Sequence, residues 1–225
     1  MLNQITLACY SQGHQNQFIN SESWAVSELY CSFLKEYKTE KIKKCNINIK
    51  DEWGDLLDYY EKYTDVITIR LHFNFVNYIS LNNYEKKLEQ LKFIHKGMMM
   101  IAEKENWETN SLLDAYNKCL DNNLIFCFDI NKPKLSPNKK TKVLLSCIWD
   151  INSFKVYANI LNKKNEIIKK NEIIKKEPQD GEFIYYIKWK WLDNSNIYIE
   201  DKYKYGNNEN WKINLEIDSF ENANA

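Results

Sequence analysis

Glycine is scarce: the chain has five, at 13, 54, 97, 181 and 206, and none opens a loop of the kind that cradles phosphate. There is no P-loop, GxGxxG, GxSxG, HExxH or kinase-type segment, so the familiar nucleotide-binding and hydrolytic chemistries have no motif to stand on. Arginine is scarcer still, with Arg70 alone against thirty Lys. No apolar run approaches the roughly 18 residues of a spanning helix, and mean hydropathy is −0.60. The opening MLNQITLACYSQGHQ has neither a basic start nor a long apolar stretch, so it does not read as a secretory signal. Six cysteines, at 9, 31, 45, 119, 127 and 147, include no CxxC and no Cys/His pair at zinc-ligand spacing; no metal or cofactor is implied. They are expected to be buried, reduced thiols in a cytoplasmic protein. Net charge is also lacking, with 31 basic against 31 acidic residues. That balance disfavours a surface that grips nucleic acid or an anionic membrane as a whole.

Hydrophobic residues make up 44% and aromatics 14%, enough to build a core and exclude wholesale disorder. Charge is unevenly placed. Residues 1–123 carry 14 basic and 17 acidic side chains, residues 124–225 carry 17 and 14. Within 131–176 twelve Lys face only Asp150, Glu166 and Glu172, whereas 51–65 holds six carboxylates against Lys62. Lys, Asn and Ile fill over a third of the chain, the composition of an A·T-rich genome.

Periodicity places the elements. A short strand is expected over 4–10 and a helix from Asn20/Ser21 to about Lys38. KCNINIK, 44–50, alternates as a strand. Asp51 is suited to cap a second helix over 51–62, with Trp53, Leu56, Leu57 and Tyr60 inward and the acidic residues outward. VITIRLHFNF, 66–75, alternates strictly, with Arg70 and His72 on the side opposite Ile67, Ile69 and Leu71. The longest helix covers 83–105 and a shorter one 110–121. NLIFCFDI, 123–130, reads as a strand. NKPKLSPNKK, 131–140, reads as a polar internal loop. Thereafter the pattern is strands only, over 143–149, 154–161, 182–192, 197–205 and 211–217, separated by turn residues. A tandem NEIIKK, 165–170 and 171–176, is easiest to accommodate as an extended hairpin, because six is even and preserves which side chains face inward. The whole, 1–225, is expected to be a single α+β domain. Its helices pack on one face of a largely antiparallel sheet, its C-terminal strands form a β-meander, and its tail, 221–225, frays.

Candidate sites are few. His95 falls in the apolar stripe of the long helix and reads as a satisfied core histidine. Arg70 and His72 share a strand face that is solvent-exposed or a polar groove; beside the plain reading, an Arg paired with a carboxylate, they form a candidate anion- or partner-binding face. Asp51, Glu52, Asp55 and Asp58 form the outer side of the expected acidic helix, either a solvated face or a docking surface for a basic partner. In the aromatic C-terminal strands Phe183, Tyr185, Ile187, Trp189 and Trp191 are expected inward, opposite Lys188 and Lys190. Separating Trp189 from the lysines argues against a combined stacking-and-charge groove for nucleic acid.

The segment LEQLKFIHKGMMMIAEKENWETNSLLDAYNKCL, followed by KVYANILNKKNEIIKK and the W-x-W strand, resembles the small α+β immunity proteins of bacterial polymorphic-toxin systems. The resemblance spans roughly residues 84–192 and carries over no functional residue. It implies a non-catalytic cytoplasmic protein that binds a cognate toxin and blocks it. On that reading the partner-binding residues are Asp51, Glu52, Asp55, Asp58, Arg70 and His72; against a nuclease toxin the carboxylates would imitate phosphates. The alternatives are an enzyme with a site near Arg70 and His72, or a nucleic-acid-associated protein using the Lys-rich 131–176 stretch.

Overall fold

The structure is a computed structural model describing residues 1–9, 15–51, 59–202 and 209–216, with backbone alone over 15–18. The chain divides into two compact units, Met1–Phe126 with Asp150–Asn152, and Cys127–Trp149 with the residues from Ser153 onward. The fold is α+β.

In the first unit β1 (Gln4–Cys9), β2 (Lys44–Lys50) and β4 (Val66–His72) run parallel, and β3 (Tyr60–Tyr63) joins the edge antiparallel to β4. Register aligns Ile5 with Cys45 and Ile67, Leu7 with Ile47 and Ile69, and Cys9 with Ile49 and Leu71. All nine are buried. At roughly 1.5–3 kcal/mol for each large apolar side chain, this row structure gives the sheet one strongly preferred inward face. Against the sheet lie α1 (Gln15–Glu22), α2 (Trp24–Ser32) and α4 (Asn83–Glu105); α5 (Asn110–Asp121) packs on α2 and α4. The approach of α4 depends on Gly97, where an added Cβ would lie 2.7 Å from Ile47 Cγ1. Asn82 opens α4 with a capping box: its side chain accepts from the Tyr84 and Glu85 amides, and Glu85 accepts from the Asn82 amide at 2.9 Å. Asn106, at φ 55°, closes it.

Three expectations for this unit change. The helix expected over 51–62 gives way at its C-terminal end to β3. Thr64, at φ 52°, turns the chain so that Tyr60–Tyr63 pairs back on β4, and alternate side chains part to the two sheet faces. The remainder, 52–58, lies outside the described residues. The helix expected from 20 to 38 begins earlier, at Gln15, ends earlier, at Ser32, and divides at Ser23, whose hydroxyl donates to the Leu7 carbonyl at 2.9 Å. The strand expected over 66–75 stops at His72, because Asn74 caps the short α3 (Phe75–Ile79) by accepting from the Asn77 amide.

The second unit holds two antiparallel sheets. One is ordered β5-β6-β7-β8 (Phe126–Leu135, Lys142–Asp150, Ser153–Leu161, Ile167–Lys176). The other is the meander β9-β10-β11 (Ile187–Trp191, Asn196–Asp201, Asn210–Asn214). The loop expected over 131–140 begins later, because β5 runs to Leu135 on the sheet edge, where a proline is tolerated. The strand expected over 182–192 is divided. Pro178–Tyr185 forms a 3₁₀ helix with Pro at its start, and only Ile187–Trp191 is extended. Phe183 remains buried, as expected, but Tyr185 is turned to solvent. Gly181 presses against the Trp149 indole, which meets Phe154 edge-on at 5.2 Å; Phe154 in turn meets Phe183 at 5.4 Å. The tandem hexapeptide forms the β8 arm of a β7–β8 hairpin, as its length suggests. The expected tail, 221–225, and the end of the 211–217 strand beyond Glu216 lie outside the described residues.

Candidate functional site on the polar face of the parallel sheet

The residues that alternate with the buried rows of β1, β2 and β4 make the opposite face of that sheet. Parallel sheets are ordinarily apolar on both sides; here one side is polar and half-exposed. Its rows are Thr6–Asn46–Thr68–Glu61, then Ala8–Asn48–Arg70, then Lys50–His72. The first row is wired together. The Thr6 hydroxyl donates to Asn46 Oδ1 at 2.6 Å, and Asn46 Nδ2 donates to Thr68 Oγ1 at 3.3 Å. An amide between two hydroxyls uses both its ends, so side-chain orientation is fixed across three strands.

Arg70 lies in the middle of β4, half-buried, with its guanidinium carbon 3.8 Å from the centroid of the Tyr59 ring. The Tyr59 hydroxyl donates to the Glu61 carboxylate. That bond is the main cause holding the phenol above its ordinary value, with Arg70 acting in the opposite sense. The cation thus lies over a ring whose hydroxyl is tied to a carboxylate. His72, at the end of β4, is exposed and aligned with Lys50. Asp51 follows β2, half-buried, and its Oδ1 accepts from the Phe75 amide at 2.6 Å. It thus satisfies the first amide of α3, whose cap is Asn74; the helix it was expected to open lies, over 52–58, outside the described residues. Glu52, Asp55 and Asp58 lie outside the described residues.

Just beyond His72, Phe73, Tyr78 and Phe93 line a cleft of about 330 Å³. Its aromatic wall is rigid: Phe73 meets Tyr78 at 5.4 Å and Phe93 at 5.2 Å. The Tyr78 hydroxyl donates to Glu22 at 2.7 Å and accepts from Gln90 at 2.6 Å. Burial is the main cause raising the Tyr78 phenol far above its ordinary value.

His95 has the structural part expected of it. The Tyr30 hydroxyl donates to the Leu112 carbonyl at 3.1 Å, which leaves its oxygen to accept from His95 Nδ1 at 3.0 Å. The imidazole packs against Tyr116 at 4.7 Å, tilted by 43°, and is held below its ordinary value by burial. All six cysteines are free thiols. Cys9, Cys45, Cys119 and Cys147 are buried and Cys31 half-buried, whereas Cys127 is exposed. Burial pushes the Cys45 and Cys119 thiols up to about 12, far from any nucleophilic range. Among the described residues no group of His, Cys, Asp and Glu is arranged to hold a metal ion, and no helix is long and apolar enough to cross a membrane.

Arg70 and His72 thus share a face, as their spacing of two requires. Thr68 shares it by the same alternation; Tyr59, Asn46 and Thr6 complete that face without having been singled out in the sequence. The alternation of KCNINIK was the available signal for Asn46 and Asn48; nothing local marks Tyr59. Comparison with family models, with curated proteins and with solved structures returns no match for this chain.

Proposed function

We propose that this chain is a binding protein of the immunity type, which neutralises a protein toxin by occupying its surface, and that the polar sheet face around Arg70 makes the contact. The observation that carries this reading is the stacked Arg70–Tyr59 pair at 3.8 Å. Arg and Tyr dominate interface hot spots, and a pair already held in place loses little side-chain freedom on binding. The neighbouring Thr–Asn–Thr row offers a flat, rigid rim, and the aromatic cleft beyond His72 is sized for one anchoring side chain of the partner. The acidic residues Glu52, Asp55 and Asp58 lie in sequence between Asp51, which follows β2, and Tyr59, which precedes β3, and would steer a basic partner by long-range attraction.

The test uses the protein encoded beside this one in its genome. Co-expression should relieve that protein's toxicity, and calorimetry should give a nanomolar-or-tighter complex. Arg70→Ala and Tyr59→Ala should each weaken it at least tenfold. Charge reversal at Asp55 and Asp58 should slow association and flatten its salt dependence. Unchanged affinity in both Arg70→Ala and Tyr59→Ala would remove this face from consideration; absence of protection would remove the function.

A further inference from the structure

The meander β9-β10-β11 has a solvent face that no sequence periodicity assembles, because its members come from three strands. Ile187, Trp189, Ile197 and Ile199 are buried on the inward side. The alternate residues form cross-strand rows on the other. One row is Lys190–Tyr198–Lys212; the next is Lys188–Glu200–Asn210. Lys188, Lys190 and Lys212 are exposed, and Tyr198 is half-exposed between two of them, with Lys190 Nζ 5.7 Å from its ring centroid.

The carboxylates nearby are already engaged. Glu200 pairs with Lys202 at 2.6 Å. Asp193, at the β9–β10 turn, accepts from the Ser195 and Asn196 amides at 2.8 Å each. Among the described residues Lys188, Lys190 and Lys212 make no ion pair. A half-exposed aromatic ring on the central strand of an antiparallel sheet, beside three exposed lysines that outnumber the carboxylates near them, Glu200 opposite Lys188 and Asp193 within reach of the Lys212 charge, has the two parts that single-stranded nucleic acid requires: a π-face for a base and ammonium groups for phosphates. The aromatic that serves is Tyr198, not Trp189, which lies on the buried side as the alternation of β9 demands.

We propose that this face binds single-stranded nucleic acid, with Tyr198 stacking on a base and Lys188, Lys190 and Lys212 contacting the phosphates on either side. A duplex is a poorer ligand because its base faces are occupied by their neighbours. An acidic peptide would use the lysines but leave the ring without a stacking partner. The proposal is independent of the toxin-binding reading and uses none of its residues.

The probe is a fluorescein-labelled oligothymidylate, followed by anisotropy against the full chain over a series of salt concentrations. Three phosphate contacts on a single strand give a log–log salt slope of about −2. Lys190→Gln should reduce its magnitude by about 0.7. Tyr198→Leu should weaken binding about tenfold without altering the slope, and Tyr198→Phe should restore it, since stacking needs the ring and not the hydroxyl. Polyglutamate should compete poorly. The proposal is overturned if the wild-type chain does not bind at low salt, if folded Tyr198→Leu binds as tightly as wild type, or if polyglutamate or the corresponding duplex competes as well as the unlabelled strand.

Discussion

Replacing Gly97 by alanine sets two effects of opposite sign against each other. Gly97 lies inside α4, where alanine is favoured over glycine by about 1 kcal/mol of helix propensity. On propensity alone the variant is more stable. The packing says otherwise. The new methyl carbon would lie 2.7, 2.8 and 3.0 Å from Cγ1, Cδ1 and Cγ2 of Ile47. All three atoms belong to one β-branched side chain with no solvent exposure, in a strand paired on both sides. Its χ1 has little freedom to yield, so the helix must lift from the sheet or the side chain must leave its rotamer. Overpacking of this kind typically costs about 1–3 kcal/mol. With three contacts on a side chain that cannot turn away, we place the steric cost at the top of that range. The net expectation is destabilisation of about 2 kcal/mol, read as a fall in the urea midpoint with unchanged slope, followed by the helical circular-dichroism band. Ile47→Ala removes all three clashing atoms and by itself costs about 2–5 kcal/mol. The double variant should then cost clearly less than the sum of the singles, since the alanine methyl fills part of the space vacated. A Gly97→Ala protein as stable as wild type, or more so, refutes the close packing of α4 on β2.

Gly181→Ala should destabilise the second unit by about 2 kcal/mol or more, because its Cβ would fall 2.5 Å from the buried Trp149 indole; the check is the tryptophan-fluorescence unfolding midpoint. Burial holds His95 below 6.5 in the folded protein, so the folded state resists its protonation: its contribution to stability is complete above about pH 6.5 and is lost as pH falls through the depressed folded value. The urea midpoint of His95→Gln should therefore fall less steeply than wild type over that acid range, and parallel curves would show that His95 does not titrate as described. Tyr30→Phe removes the hydroxyl shared by His95 and the Leu112 carbonyl and should cost about 1–3 kcal/mol in the same assay. Deleting one hexapeptide, which yields the same chain whichever copy is removed, should leave a folded chain in which the remaining isoleucine pair takes the buried place of Ile173 and Ile174, so that only the pair 55% and 65% exposed is lost and the thermal midpoint falls by no more than a few degrees; loss of cooperative unfolding would contradict this.

Much of the fold is legible one segment at a time. The bounds of α4, α5 and β2 agree with the expected ones, because each element carries its own signals: a capping box at Asn82 and Glu85, a sustained apolar stripe, a clean alternation from Cys45 to Ile49. The parallel pairing of β1, β2 and β4 is not legible that way, since an alternating strand reads the same whichever neighbour it joins. The shared face of Arg70 and His72 follows from a spacing of two. The rows that give that face its character do not, because Tyr59 reaches Arg70, and Asn46 reaches Thr6 and Thr68, only once register is set. The same holds for Tyr198. Along β10 it is one outward residue among several, and only the pairing places lysines on both sides of it.

The hexapeptide repeat shows where parity reasoning fails. Six residues inserted in a regular strand keep every side chain on its own face. By that rule Ile167 and Ile168 should occupy surroundings like those of Ile173 and Ile174. They do not: the first pair is exposed and the second buried. Pairing on β7 is interrupted twice. Val156 opposes Ile174 while Tyr157 opposes Glu172, and Ile160 opposes Lys169 while Leu161 opposes Ile167. Each Ile–Ile pair therefore carries one extra residue, Ile168 in the first copy and Ile173 in the second, as in a β-bulge. From Lys169 to Lys175 the repeat advances six residues along β8 but only five along β7, from Ile160 to Lys155. An odd step reverses facing, and β7 registers it directly: Phe154, Val156 and Ala158 are buried, and then Asn159 and Leu161. The copy nearer the 3₁₀ helix delivers both its isoleucines to the core, whereas the copy nearer the turn extends the hairpin with its apolar side chains in water. Identical sequences hold unequal shares of the stability because the bulges, not the number of residues, decide which way the strand faces.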